Sequence, residues 1–187
     1  MKNIKITIYL IAITFLFSCS SNQSTSKDSE VNTKLNYQYR KSRTENFKTL
    51  TKNELVELRK KIEEGLHTKI SASKTIFIDF NQKASNCIDA AFTLDENKDL
   101  IDRHLDKILR YSKENNVESY FVYTSDSHNR TIYKSSNYYI LDSGIFYNEI
   151  FTKHENCVAF LILKPNGDFY EYYGEDYFSE VIKIINQ

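Results

Sequence analysis

The chain has 187 residues, 41% of them hydrophobic and 27% charged, and Lys+Arg and Asp+Glu both number 25, so the formal net charge is zero and the pI about 6.9. So even a balance excludes a nucleic-acid protein held by a basic field, and one Pro with four Gly excludes a collagen-like or Pro-rich disordered chain. The length suits one domain.

The N-terminus reads as a targeting segment. Lys2 and Lys5 give a positive start and Ile6 to Phe17 is almost wholly apolar, the pattern of a secretory signal peptide. That run is too short to span a bilayer, which takes about 20 apolar residues. It ends in Leu16-Phe17-Ser18-Cys19, which resembles the lipobox of bacterial lipoproteins, with an aliphatic residue at minus three and a small one at minus one. The resemblance implies a signal peptide over 1–18, cleavage before Cys19, a diacylglycerol on its sulfur and acylation of its amine. The membrane is then a partner through lipidated Cys19, since several acyl chains exceed what stable attachment needs. Ser20-Ser21-Asn22 lacks the acidic residue that retains some lipoproteins in the inner membrane, which points to the outer membrane of the cell envelope. Loss of Lys2 and Lys5 leaves 23 basic against 25 acidic residues, too small an excess to argue an electrostatic partner.

Residues 19–48 are rich in Ser, Asn, Thr and Lys without periodicity and read as a flexible linker, leaving a domain over 49–187. Thr51 and Glu54 make a capping box, and Leu55, Leu58, Ile62 and Leu66 follow at helical spacing, so a helix is expected over 52–66. Thr75 to Phe80 suits a mostly buried strand, and a polar loop over 81–86 leads to Cys87. Leu100, Ile101, Leu105, Ile108 and Leu109 set a long helix between Asp95 and Asn115, with Asn115-Asn116 as its stop. Val117 to Tyr123 reads as a strand and 125–130 as a polar loop. The stretch 131–156 is ambiguous, Ile145 to Ile150 allowing a short helix.

Cys157 to Leu163 is a continuous apolar run, the mark of a strand covered on both faces. Pro165-Asn166-Gly167 makes a tight turn, Phe169 to Tyr173 returns antiparallel, and Tyr177, Phe178, Val181, Ile182 and Ile185 line a terminal helix capped by Asp176. A helix-joined parallel strand pair closed by a hairpin gives an α/β fold, a mixed sheet with helices on both faces.

The strand entering a Cys-bearing loop, the apolar strand from Cys157 and the Pro165-Asn166-Gly167-Asp168 turn together resemble the thioredoxin-like fold, in the form of the redoxin-type bacterial envelope lipoproteins. The family's C-x-x-C is degenerate here: Ala84-Ser85-Asn86-Cys87 keeps only the second cysteine, in a loop about one residue shorter. The family's cis-proline is missing too, and the alignment puts Cys157 at or next to its position, facing the helix N-terminus. The resemblance therefore implies that Cys87 and Cys157 lie near one another. Without a complete motif it implies a non-catalytic binding or assembly role with an envelope protein partner, and the alternative is an atypical thiol-disulfide oxidoreductase using Cys87 and Cys157. A third reading is an immunity or adhesion-type lipoprotein on another α/β scaffold.

With Cys19 acylated, two thiols remain in an exported chain. They read as a structural disulfide, as an exchangeable pair with Cys87 favoured by a helix dipole, or as two buried free cysteines. The four histidines, His67, His104, His128 and His154, are scattered, so no metal site is expected, and His104 reads as solvated. Asp126-Ser127-His128 has the residue types of a triad but no G-x-S-x-G, and Asp168, Glu171, Glu175 and Asp176 read as a solvated edge more simply than as a Ca²⁺ site. The tyrosines, clustered at Tyr138-Tyr139 and at Tyr170, Tyr172 and Tyr173, read as compositional bias more simply than as a binding platform. No cofactor is implied, since four glycines build no phosphate loop.

Overall fold

The computed structural model describes residues 31–175 and 178–186. The expected signal peptide, Cys19, Asp176 and Tyr177 lie outside the described residues. The fold is mixed α/β. A single sheet of six strands is built from β1 (Thr44–Thr49), β2 (Thr75–Asn81), β3 (Val117–Tyr123), β4 (Tyr139–Leu141), β5 (Val158–Leu163) and β6 (Asp168–Tyr173). Their order across the sheet is β1-β6-β5-β2-β3-β4. β2, β3 and β4 run parallel, while β5 is antiparallel to β2, β6 to β5 and β1 to β6. The helices are α1 (Tyr37–Ser42), α2 (Lys52–Leu66), α3 (Leu94–Glu114), α4 (Arg130–Ser135) and α5 (Phe178–Ile185), with one 3₁₀ turn at Ile88–Ala91 and one π turn at Phe146–Ile150.

The two long helices form where their caps dictate. Thr51 and Glu54 close a reciprocal box at the start of α2, and Thr93 and Glu96 do the same for α3, each satisfying two otherwise orphaned backbone donors. Both end on a left-handed residue, His67 (φ 52°) and Asn116 (φ 58°).

Strand alternation splits the core in two. Ile76, Ile78 and Phe80 of β2 join Val122, Ala159, Leu161 and Leu163 against α2 and the π turn. Phe77 joins Phe121, Phe160 and Ile162 against α3 and α5. Helices thus cover both faces. Gly65 in α2 lets the Phe146 ring approach, since a Cβ there would lie 2.6 Å from the ring. At the β5–β6 hairpin Gly167 (φ 95°) takes the left-handed conformation that its turn demands.

Two differences from the expected layout matter. The linker expected over 19–48 is ordered from residue 31 onwards: α1 buries Tyr39, and β1 completes the sheet beside β6. Polar composition hid this, because β1 is an edge strand whose side chains are mostly exposed. Cys87 also does not open the long helix. It precedes the 3₁₀ turn, and α3 begins only after its own cap at Thr93, so no long-helix dipole acts on that sulfur. Among the described residues no helix is long and apolar enough to cross a membrane.

Candidate functional site

The sulfurs of Cys87 and Cys157 stand at disulfide-bonding distance, with Cα atoms 5.2 Å apart across 70 positions of sequence. Three segments converge to place them. Asn86 pairs in parallel with Asn156 on one side and with Asn32 on the other, and each cysteine directly follows one of the first two. Cys87 N–H donates to Asn32 O and Cys157 N–H to Asn86 O, both at 3.0 Å. The side chains repeat this lock. Asn32 Nδ2 donates to Asn86 Oδ1 at 2.8 Å, and Ser42 Oγ donates to Asn156 Oδ1 at 2.8 Å. Cys87 is 3% exposed and Cys157 4%.

Glu175, just beyond β6, closes the other side. Its backbone N–H donates to Tyr39 Oη at 2.7 Å, and its two carboxylate oxygens each accept Ile88 N–H at 2.8 Å. Oε1 lies 2.8 Å from Cys157 Sγ. The two sulfurs and a Glu175 oxygen all fall within 4.8 Å of one another.

Beside them opens a cleft of about 210 Å³ lined by Asp79, Asn81, Asp89, His104, Tyr133, Tyr139 and Glu175 among others. Asp79 comes from the β2 face that packs against α3 and is only 2% exposed. A carboxylate so buried needs partners. His104 Nε2 stands 3.1 Å from Asp79 Oδ2, and Asn81 Nδ2 donates to Asp79 Oδ1 at 3.1 Å. Tyr133 Oη in turn donates to Asn81 Oδ1 at 2.9 Å, so one polar chain runs from α4 through β2 to α3. Burial lifts the Asp89 carboxyl above its usual range, and nearby Asp79 adds to this against the pull of His128 and His104. Burial likewise drives the Tyr133 and Tyr139 hydroxyls far up, which keeps both rings neutral donors.

The candidate residues sort clearly. Cys87 and Cys157 are brought together. His104 is corrected: expected solvated, it is held by Asp79, because the third turn of α3 passes over this buried carboxylate of β2. Asp126-Ser127-His128 is no triad, since Ser127 Oγ is buried without a partner while Asp126 bonds Thr124. The acidic group also disperses. Asp168 accepts from Thr49, Glu171 from Tyr173, and Glu175 faces the cysteines. The tyrosines are largely core fillers, Tyr139 stacking on Tyr133, Tyr172 on Phe160 and Tyr170 on Phe47, though Tyr138 is exposed. Sequence reading missed Asp79 and Asp89, and it put Glu175 on a solvated edge where the structure turns it to the cysteines. The one available signal was a carboxylate inside the apolar run Ile76 to Phe80, where alternation buries it.

Comparison with known proteins finds no match among family models, curated proteins or solved structures.

Proposed function

We propose that the chain is a lipid-anchored protein of the cell envelope, held through Cys19 at the outer membrane, whose thioredoxin-like body is a binding or assembly module without conventional redox turnover. The strand order β6-β5-β2-β3, with a parallel pair β2–β3 and an antiparallel return through β5 and β6, supports the thioredoxin-like reading. The observation that carries the function is the enclosure of the cysteine pair. Both sulfurs are buried, with Asn32 bonded along one side and Glu175 against the other, so an incoming thiolate must displace these groups to reach either sulfur. A bridge so placed works as a staple. Closing a loop of this length is worth about 4 kcal/mol in the chain-entropy picture.

Thiol labelling after mild reductant tests this. The folded chain is expected to show no new reactive thiol, and replacing both cysteines, Cys87→Ala with Cys157→Ala, is expected to lower the unfolding free energy by about 2–5 kcal/mol. Incorporation of labelled fatty acid, lost on Cys19→Ser, tests the anchor.

One observation favours the second reading, an atypical thiol-disulfide oxidoreductase. The cleft bearing Asp79, Asp89 and His104 shares Glu175 with the pair, Asp89 also lines the small pocket that both cysteines border, and acid-base groups beside a disulfide can manage the protons of exchange. Rapid exchange with a protein disulfide, abolished by Cys87→Ser, would establish that reading instead.

A further inference from the structure

We propose that Cys87, Cys157 and Glu175 form a binding site for a zinc-class divalent cation in molecules whose two thiols are reduced. The ligand atoms come from three separate segments, the loop after β2, the start of β5 and the residue after the β6 turn, and already lie within 4.8 Å of one another. Two thiolates and a carboxylate suit a borderline-soft ion bound at about 2.3 Å to sulfur and about 2.0–2.2 Å to oxygen. The combined charge of three ionised ligands favours a dication over Cu⁺, and the sulfurs disfavour Ca²⁺ and Mg²⁺.

The surroundings hold the ligands in place. Tyr39 Oη accepts the Glu175 backbone N–H, and Ile88 N–H donates to both carboxylate oxygens, which orients the carboxylate toward the sulfurs. Asn32 and Asn86 fix the backbones of the cysteines. Of the three ligands Glu175 also lines the cleft that carries Asp79, Asp89 and His104, so that cleft opens beside the site. Three protein ligands leave a fourth position for water.

The chemistry balances as follows. A dithiol opens the disulfide by passing two electrons to the pair and leaves as a disulfide itself, and each cysteine sulfur takes up one proton. Cation binding then displaces those two protons. Bridge and cation exclude one another. The inference rests on the cysteine pair and needs neither the lipid anchor nor an assembly role.

The test uses the full chain carrying Cys19→Ser, in detergent, reduced and kept free of oxygen. It is expected to take one Zn²⁺ per chain from a chromophoric chelator, to give thiolate-to-cobalt absorption with Co²⁺, and to lose alkylation of Cys87 and Cys157 when loaded. The oxidised chain is expected to bind none. Glu175→Gln is expected to weaken Zn²⁺ binding about ten-fold or more with the thiol count unchanged, and Cys157→Ser to remove the cobalt band. A reduced chain that keeps its near-UV circular dichroism but shows no cobalt band, one that binds only after losing that dichroism, or undiminished affinity in Glu175→Gln overturns the proposal. Rapid opening of the bridge by mild reductant would sink the staple reading and leave these results standing.

Discussion

The two faces of the sheet are built on opposite principles. Against α2 the contacts are almost wholly apolar: Ile76, Ile78 and Phe80 meet Ile62, Leu66, Phe146 and Phe151, with Phe80 and Phe151 stacked at 4.6 Å between centroids. Against α3 the same strand turns Asp79 and Asn81 inward, and the space that an aliphatic side chain would fill holds His104, Tyr133 and a cleft. Neighbouring residues of β2 thus serve different ends. One face holds the fold together and the other gathers titratable groups around a cleft beside the two buried sulfurs. Buried polar chains of this kind stabilise less than packed hydrocarbon, so their presence marks the second face as the one with a use beyond folding.

Substitutions on either side sharpen the contrast. Phe80→Ala removes a ring from the apolar face and is expected to lower the unfolding free energy by about 3–5 kcal/mol, read from urea denaturation. On the polar face His104→Ala leaves Asp79 with Asn81 alone and is expected to cost about 1–3 kcal/mol, the lower end suiting a histidine side chain that is 27% exposed. A double-mutant cycle isolates the pair: the His104→Ala cost should shrink in an Asp79→Asn background, and an unchanged cost would show that His104 acts only by packing.

The smallest effect concerns a carboxylate of β6 on the apolar side. Burial lifts Glu171 above its usual range, more than Tyr173, Asn46, Lys153 and Lys48 pull it down. A folded-state pKa above the unfolded one means that the stabilising contribution is complete below about 4.5 and is lost as pH rises through the raised value. Glu171→Gln should therefore be more stable than the parent at pH 7, with the gain vanishing near pH 4. A gain that persists at pH 4 would assign the effect to packing.

Much of the framework was legible from local chemistry. The Thr51–Glu54 capping box, the helical spacing of Leu55 to Leu66 and of Leu100 to Leu109, and the apolar runs Thr75 to Phe80 and Cys157 to Leu163 each specify an element within about twenty residues, and these elements appear where expected, whereas the Thr93–Glu96 box that starts α3 was not read. α1 and β1 did not announce themselves, because an edge strand with an exposed face carries no alternation, and the buried Tyr39 takes its Oη partner, Glu175 N–H, from 136 positions away. The region 131–156 was opaque for a related reason. Its helix, short strand and π turn are each too brief to show a period; Asp142 caps the π turn locally, while Asn129 reaches Asp89 and the Phe146 ring packs on Gly65 far away in sequence.

The sequence by itself determined the anchor-like start, the alternation that makes a two-faced sheet, and the presence of two cysteines to be accounted for. Only tertiary structure decided that Asn32, Asn86 and Asn156 pair side by side, that Glu175 turns to the sulfurs while Glu171 turns away, and that His104 finds Asp79. The physical reason is range. Periodicity and capping act over a few residues and can be read from neighbours, whereas a site made of groups up to about 140 positions apart exists only once the sheet has brought its strands into register.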